Sequence, residues 1–261
     1  MPKLAANLTM LFTEVPFLDR FAAASQAGFK CVEFLFPYEY TTGQIQDLLA
    51  SHGLQTVLFN LPSGNWAAGD RGIAANPARK EEFRAGVQQA VTWAGALGVT
   101  RVNCLAGKAN PDFSREEHWQ TLVENVRYAA DALAGVGASL MVEFINHYDI
   151  PGFFLNTTRQ TLDLIAAVGR PNVYLQYDVY HAQREEGNLG PTLRAHIAQI
   201  GHVQIADNPG RHQPGTGEIN YPWLLAELDR LGYQGYVALE YVPSPSTVES
   251  LGWIEAFGYQ R

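Results

Sequence analysis

Residues 7–17 read NLTMLFTEVPF. They follow an apolar run that begins near Leu4, and they contain no glycine. An open doubly wound sheet usually carries a glycine-rich phosphate loop at this place, because glycine lets backbone N–H groups approach a pyrophosphate. The stretch therefore turns the reading toward the other common arrangement of parallel strands, a closed barrel, with the open sheet as the alternative. Outward from it the chain alternates. Short β-rich runs start near Leu4, Cys31, Leu54, Arg101, Ser139, Val173, Gly201 and Tyr236. Between them lie stretches of helical periodicity, among them residues 17–27, 79–97, 114–134 and 158–168. In the first of these, Leu18, Phe21, Ala22 and Ser25 mark the predicted buried face. Ser114 with Glu117 fits a capping box, and Gly28, Gly53, Gly98 and Gly232 stand where helices hand over to strands. Eight strand–helix units in 261 residues, with no low-complexity linker, predict an α/β fold: a single (β/α)8 TIM barrel over residues 1–261. Residues 61–78 form the longest predicted loop, a candidate lid.

Four polar residues sit at the carboxyl ends of the last four apolar runs: Glu143, Asp178, Gln204 and Glu240. A carboxylate in an apolar strand is costly to desolvate unless something pairs with it. Three carboxylates and an amide at the ends of consecutive strands point to one shared partner, and a divalent cation is the simplest. The set is all oxygen if Gln204 ligates through its carbonyl, which favours Mg2+ or Mn2+; Zn2+ would recruit more His or Cys. The bland alternative for any single one of them is a hydrogen-bonded core group.

Histidines form a second layer. His181 follows Asp178 by three residues, His147 follows Glu143 by four, and His202 shares a strand face with Gln204. Each is read as a group that orients ligands, binds substrate oxygens or moves protons, against the alternative of a structural histidine. Glu33 is read as a structural hydrogen-bonding acid, two strands away from the cluster, and Asn60, ending the third strand, as a substrate contact. Arg71, Lys108 and Arg211 follow strands three, four and seven and are predicted on the catalytic face. A carboxylate substrate needs such a cation, and arginine offers a bidentate fork.

Composition bounds the partners. Eighteen Lys and Arg against 26 Asp and Glu give a formal charge of −8, which argues against nucleic acid or an anionic membrane as the main partner. The N-terminal residues lack a long apolar signal core, and no run is long enough to span a bilayer. Cys31 and Cys104 lie in apolar runs and read as buried free thiols of a reducing compartment. The expectation is a cytoplasmic protein acting on a small molecule.

Taken together, the stretches ANLTMLF, VEFLFPY, FNLPSGNWAAGDRGIA, VNCLAGK, INHYDIPGF, QYDVYHAQR, GHVQIADNPGRHQPGTGEINY and LEY resemble the hydroxypyruvate isomerases, a branch of the xylose-isomerase-like barrels that includes 2-oxo-tetronate isomerases. They run from Ala6 to Tyr241. The resemblance implies a xylose-isomerase-like TIM barrel that interconverts hydroxypyruvate and 2-hydroxy-3-oxopropanoate. It implies Glu143 and Glu240 as the proton donor and acceptor, and Glu143, Asp178, Gln204 and Glu240 as the metal positions. A homo-oligomer is a further implication at the family level. Two departures stand out. Phe144 follows Glu143 where similar proteins often carry proline, and Gln204 stands where related sugar epimerases have histidine. The glutamine softens metal affinity and places the chain on the hydroxypyruvate side. Asp149 stands near the place of a substrate-contacting glutamate in those epimerases, and no role is carried over to it.

The implied reaction moves a carbonyl between adjacent carbons through an enediol, with one glutamate removing a carbon proton and another returning it. A hydride shift is the mechanistic rival. A 2-oxo-tetronate isomerase, a sugar 3-epimerase or a dehydratase on the same barrel are the rival enzymes. An apurinic endonuclease predicts more histidine ligands and a basic surface. A non-catalytic sugar-binding barrel predicts loss of the metal set.

Overall fold

A computed structural model describes residues 3–261. Eight parallel strands close into a barrel in sequential order: β1 (Lys3–Asn7), β2 (Cys31–Glu33), β3 (Gln55–Asn60), β4 (Arg101–Leu105), β5 (Ser139–Glu143), β6 (Val173–Asp178), β7 (Ile200–Ile205) and β8 (Tyr236–Leu239). β1 closes the ring by pairing with β8, Ala6 opposite Leu239. The open-sheet alternative is thereby excluded.

Larger helices pack around the barrel: α1 (Arg20–Gln26), α2 (Thr42–His52), α3 (Lys80–Leu97), α4 (Arg115–Ala134), α5 (Thr158–Val168), α6 (Val179–Glu185), α7 (Leu189–His196) and α8 (Tyr221–Arg230). The capping box forms as its residues predict. Ser114 Oγ accepts from the Glu117 backbone N–H, and Glu117 Oε2 accepts from that of Ser114 at 2.7 Å. From there α4 buries Leu122, Val126, Ala129 and Leu133, one stripe at helical spacing facing the sheet. Each buried Leu or Val side chain of this stripe contributes about 1.5–3 kcal/mol. A Val126→Asp substitution would put an unpaired charge in that layer.

The first helix differs from its predicted face. Phe21 and Ala24 are buried, whereas Leu18, Ala22 and Ser25 are only partly covered. Phe17–Asp19 is a 3-10 turn, and three residues per turn instead of 3.6 rotates the apolar face before the α-helix begins.

Residues 61–78 are also less free than a lid. Two short 3-10 turns, Trp66–Ala68 and Pro77–Arg79, interrupt them, and Ile73, Ala74 and Ala75 are buried. Gly72 bridges to Ala106 beyond β4. The backbones touch here: a Cβ on Gly107 would lie 2.1 Å from the Gly72 carbonyl oxygen, so both positions require glycine. Cys31 is half-buried and Cys104 buried; both are free thiols, and burial pushes that of Cys104 up to about 12.

Strand alternation divides the core. Outward-facing Val102, Cys104, Leu140, Val142, Leu175 and Val203 meet the helices in the main apolar cluster. Inside the barrel, Ala5, Val57, Leu58, Met141 and Ala238 make a second, smaller one. Ala5, Met141 and Ala238 stand two residues before Asn7, Glu143 and Glu240, so the lumen changes from apolar to polar one layer higher. No helix among the described residues is long and apolar enough to cross a membrane.

Candidate active site

The polar layer lies at the carboxyl ends of the strands, where barrel enzymes place their chemistry. Glu143 ends β5, Asp178 ends β6, Gln204 is in β7 and Glu240 directly follows β8; all are nearly fully buried. Asp178 and Gln204 are register partners across β6 and β7, and Gln204 pairs with Ala238, two residues before Glu240. Ligating atoms of Glu143, Asp178 and His181 lie within 4.8 Å of one another. His181, in the first turn of α6, has Nε2 3.4 Å from Asp178 Oδ2, and its Nδ1 meets Asn146 Nδ2 at 2.7 Å.

Charge crowding shows in the acidities. Burial first, then the neighbouring Asp178, pushes the Glu143 carboxyl up to about 8. Burial also raises Asp178 and lifts Glu240 well above its ordinary range, although Arg211 opposes both. His181 is pushed well below its usual value by burial and then by Arg211. Such perturbed groups converging in one cleft single it out as the candidate functional site.

Arg211 supplies the local cation. Its Nη2 donates to Glu240 Oε2 at 2.9 Å and reaches Asp178 Oδ2 at 3.4 Å. The guanidinium sits 4.9 Å from the centre of the Tyr180 ring, and Nε has no hydrogen-bond partner. The loop after β7 holds it in a left-handed backbone conformation, φ 55°. Buried Asp207 anchors that loop by accepting from the backbone N–H groups of Gly215, Gly217 and Ile219.

A cavity of about 190 Å³ opens onto this cluster, lined by Asn60, Trp66, Glu143, Asp149, His181, Arg211 and Glu240, with Met10, Leu35, Leu105, Ile145 and Ile150 as its apolar wall. The Asn60 side-chain oxygen is buried without a partner. A larger hollow of about 590 Å³ lies at the opposite, amino-terminal face among Thr100, Arg101, Ser139 and Gly201. It holds none of the clustered carboxylates, so the smaller cavity is the candidate site.

The remaining sequence candidates separate clearly. Arg71 and Lys108 do not line the cavity. Arg71 stacks 4.1 Å from the centre of the Trp66 ring and donates to the Trp66 and Asp70 carbonyls. Lys108 is exposed in an isolated bridge with Phe153. His147 is half-exposed and pairs with Glu185 at 2.7 Å. His202 is fully buried against Glu33, Nε2 to Oε2 at 2.6 Å. Asp149 accepts from Asn146 and lies 3.3 Å from Arg184. Phe144 is buried edge-on to Tyr177.

Four polar groups were missed by the residue reading: Asn7, Asn103, Gln176 and Asp207. Asn103 and Gln176 donate to Glu143 Oε2 at 2.9 and 3.1 Å, and Asn7 donates to Glu240 Oε1 at 3.1 Å. Gln176 precedes Asp178 by two residues, so strand period alone places it on the same face.

Residues 21–257 match a protein family described as xylose isomerase-like TIM barrel. The chain belongs to that family. An Escherichia coli (strain K12) protein named hydroxypyruvate isomerase is 51% identical over 257 residues, covering 98% of this chain and 100% of its own. A Cupriavidus necator protein named 2-oxo-tetronate isomerase is 44% identical over 257 residues, covering 98% of this chain and 99% of its own. A crystal structure from Brucella melitensis, named AP endonuclease, family 2, superposes with a TM-score of 0.97 at 43% identity over the whole of both chains. The chain is an isomerase of the hydroxypyruvate isomerase-like kind, by its likeness to these curated relatives.

Proposed function

We propose that the chain interconverts hydroxypyruvate and 2-hydroxy-3-oxopropanoate by proton transfer through an enediol, with Glu143 and Glu240 as the proton acceptor and donor. The observation that carries this reading is the convergence of two buried, acidity-shifted glutamates with Arg211 on one small cavity. At about 190 Å³ the cavity is below the roughly 300–1,000 Å³ of sites for drug-sized ligands, in keeping with a three- or four-carbon acid.

The donor set fits a hard divalent cation: carboxylates that burial and, for Glu143, the neighbouring Asp178 make reluctant to give up their protons, with His181 beside them. Glu143, Asp178, Gln204 and Glu240 would hold Mg2+ or Mn2+, with His181 within reach. When bound, the cation supplies positive charge that polarises the substrate oxygens and stabilises the negative charge of an enediolate.

The chain's own residues do the rest. Arg211 binds the substrate carboxylate through N–H groups that Glu240 and Asp178 leave unpaired. Asn60 offers its unpartnered carbonyl oxygen to a substrate hydroxyl. One glutamate removes a proton from C3 of hydroxypyruvate as O2 gains one, giving the enediol. The other delivers a proton to C2 while the C3 hydroxyl loses its own, leaving the aldehyde. Asn103 and Gln176 hold Glu143, and Asn7 holds Glu240, at fixed positions through this exchange.

The relatives named 2-oxo-tetronate isomerase favour a four-carbon substrate as the second reading. A coupled assay with hydroxypyruvate and with 2-oxo-tetronates, each with and without chelator, separates them. Turnover of hydroxypyruvate lost on chelation is the expected result; turnover of neither substrate overturns the reading.

A further inference from the structure

Beneath the mouth lies Glu33, an acid that is not among the residues lining the cavity. It is fully buried at the end of β2, accepts two hydrogen bonds and shares a third with His202. Oε1 takes Asn7 Nδ2 and Gln204 Nε2, each at 2.8 Å, and Oε2 meets His202 Nε2 at 2.6 Å. A carboxylate can only accept here, so it dictates which end of an amide faces it. For Asn7 the choice is fixed twice, because its Oδ1 also accepts from the Thr9 backbone N–H at 3.0 Å. For Gln204, turning Nε2 to Glu33 turns Oε1 the other way, where it accepts from Gln176 Nε2 at 2.7 Å, on the Glu143 side of the lumen.

We propose that Glu33 is a positioning residue that fixes the amide of Gln204 with its carbonyl oxygen, rather than its NH2, turned toward the carboxylate cluster. This rests on the reading of Gln204 as a cation ligand. A carbonyl oxygen binds Mg2+ or Mn2+; an amide nitrogen carrying two hydrogens does not. An amide in this place works only if a neighbour sets its direction, whereas a carboxylate, with two equivalent oxygens, needs no such neighbour. The positions of Glu33 and Gln204 are therefore coupled.

The test is Mn2+ titration by calorimetry, with thermal unfolding of the metal-free proteins. It compares wild type, Glu33→Met, Glu33→Gln, Gln204→Glu and the double variant Glu33→Met with Gln204→Glu. Glu33→Met removes the acceptor at similar length, and Mn2+ affinity falls about 10–100-fold, the usual scale for an outer-shell partner. Glu33→Gln keeps affinity within a few-fold, since the new amide can present its oxygen to Asn7 and Gln204 and its NH2 to His202. The double variant recovers the affinity that Glu33→Met alone loses. If Glu33→Met costs as much affinity on top of Gln204→Glu as it does in the wild type, the proposal is overturned. A Glu33→Met protein that melts earlier yet binds Mn2+ as wild type does overturns it as well. If Glu33→Met does not fold, Gln204→Glu decides. That substitution sets a second carboxylate against Glu33 at hydrogen-bond distance, so the metal-free protein melts earlier, and an unchanged Tm overturns the contact. A wild-type protein that binds no Mn2+ while this coupling holds defeats the metal reading of the site and leaves the orientation of Gln204 standing.

Discussion

Arg211 and Glu240 meet at 2.9 Å, and the same nitrogen reaches Asp178 at 3.4 Å. One cation thus partly offsets carboxylates from two different strands, from a loop that Asp207 holds in place. On the proposed reading, its removal deprives the substrate carboxylate of its counter-charge and leaves the acids more crowded. Arg211→Ala is expected to lower kcat/KM by about 100-fold, the scale at which lost positioning is felt. Arg211→Lys recovers only part of this, because a point charge replaces a planar fork. Steady-state kinetics on both variants checks the order.

Glu240→Gln keeps the shape of the site and removes the proton carrier. Turnover should fall by about 10²–10⁴-fold, the usual contribution of a positioned acid or base, with an unchanged far-ultraviolet circular dichroism spectrum. Full activity in this variant would remove Glu240 from the mechanism.

Acidity gives a third expectation. The Glu143 carboxyl rises from an ordinary 4.5 to about 8 through burial and the nearby Asp178. Between these values the unfolded chain has released its proton while the folded chain keeps it. Stability of the metal-free protein therefore falls as pH rises through that window and levels off above it. A divalent cation competes with those protons, so saturating Mn2+ should raise Tm more at about pH 8 than at about pH 5.5. Differential scanning calorimetry at the two pH values measures this, and an equal rise at both contradicts it.

The barrel and the four strand-end residues were legible because burial imposes a strong signal: acids in apolar runs are costly, and strand and helix periods differ. Asn7, Asn103 and Gln176 lie on the same faces but carry no charge, so nothing in composition separates them from ordinary amides. Arg71, Lys108 and Arg211 looked alike in sequence, each a loop cation after a strand. Their fates depend on long-range packing: Arg71 is held by Trp66, while Arg211 is aimed inward by Asp207 and Tyr180. The misplaced face of the first helix came from one 3-10 turn, which periodicity at 3.6 does not describe.

The central claim is that one glutamate takes a proton from C3 of the substrate and the other delivers a different one to C2. Turnover of hydroxypyruvate in D2O, followed by NMR of the trapped product, tests it most directly. If one glutamate removes the C3 proton and the other, already exchanged with solvent, delivers to C2, the product carries solvent deuterium at C2. A product formed at full rate with no solvent deuterium on carbon would point to a hydride shift and contradict the account.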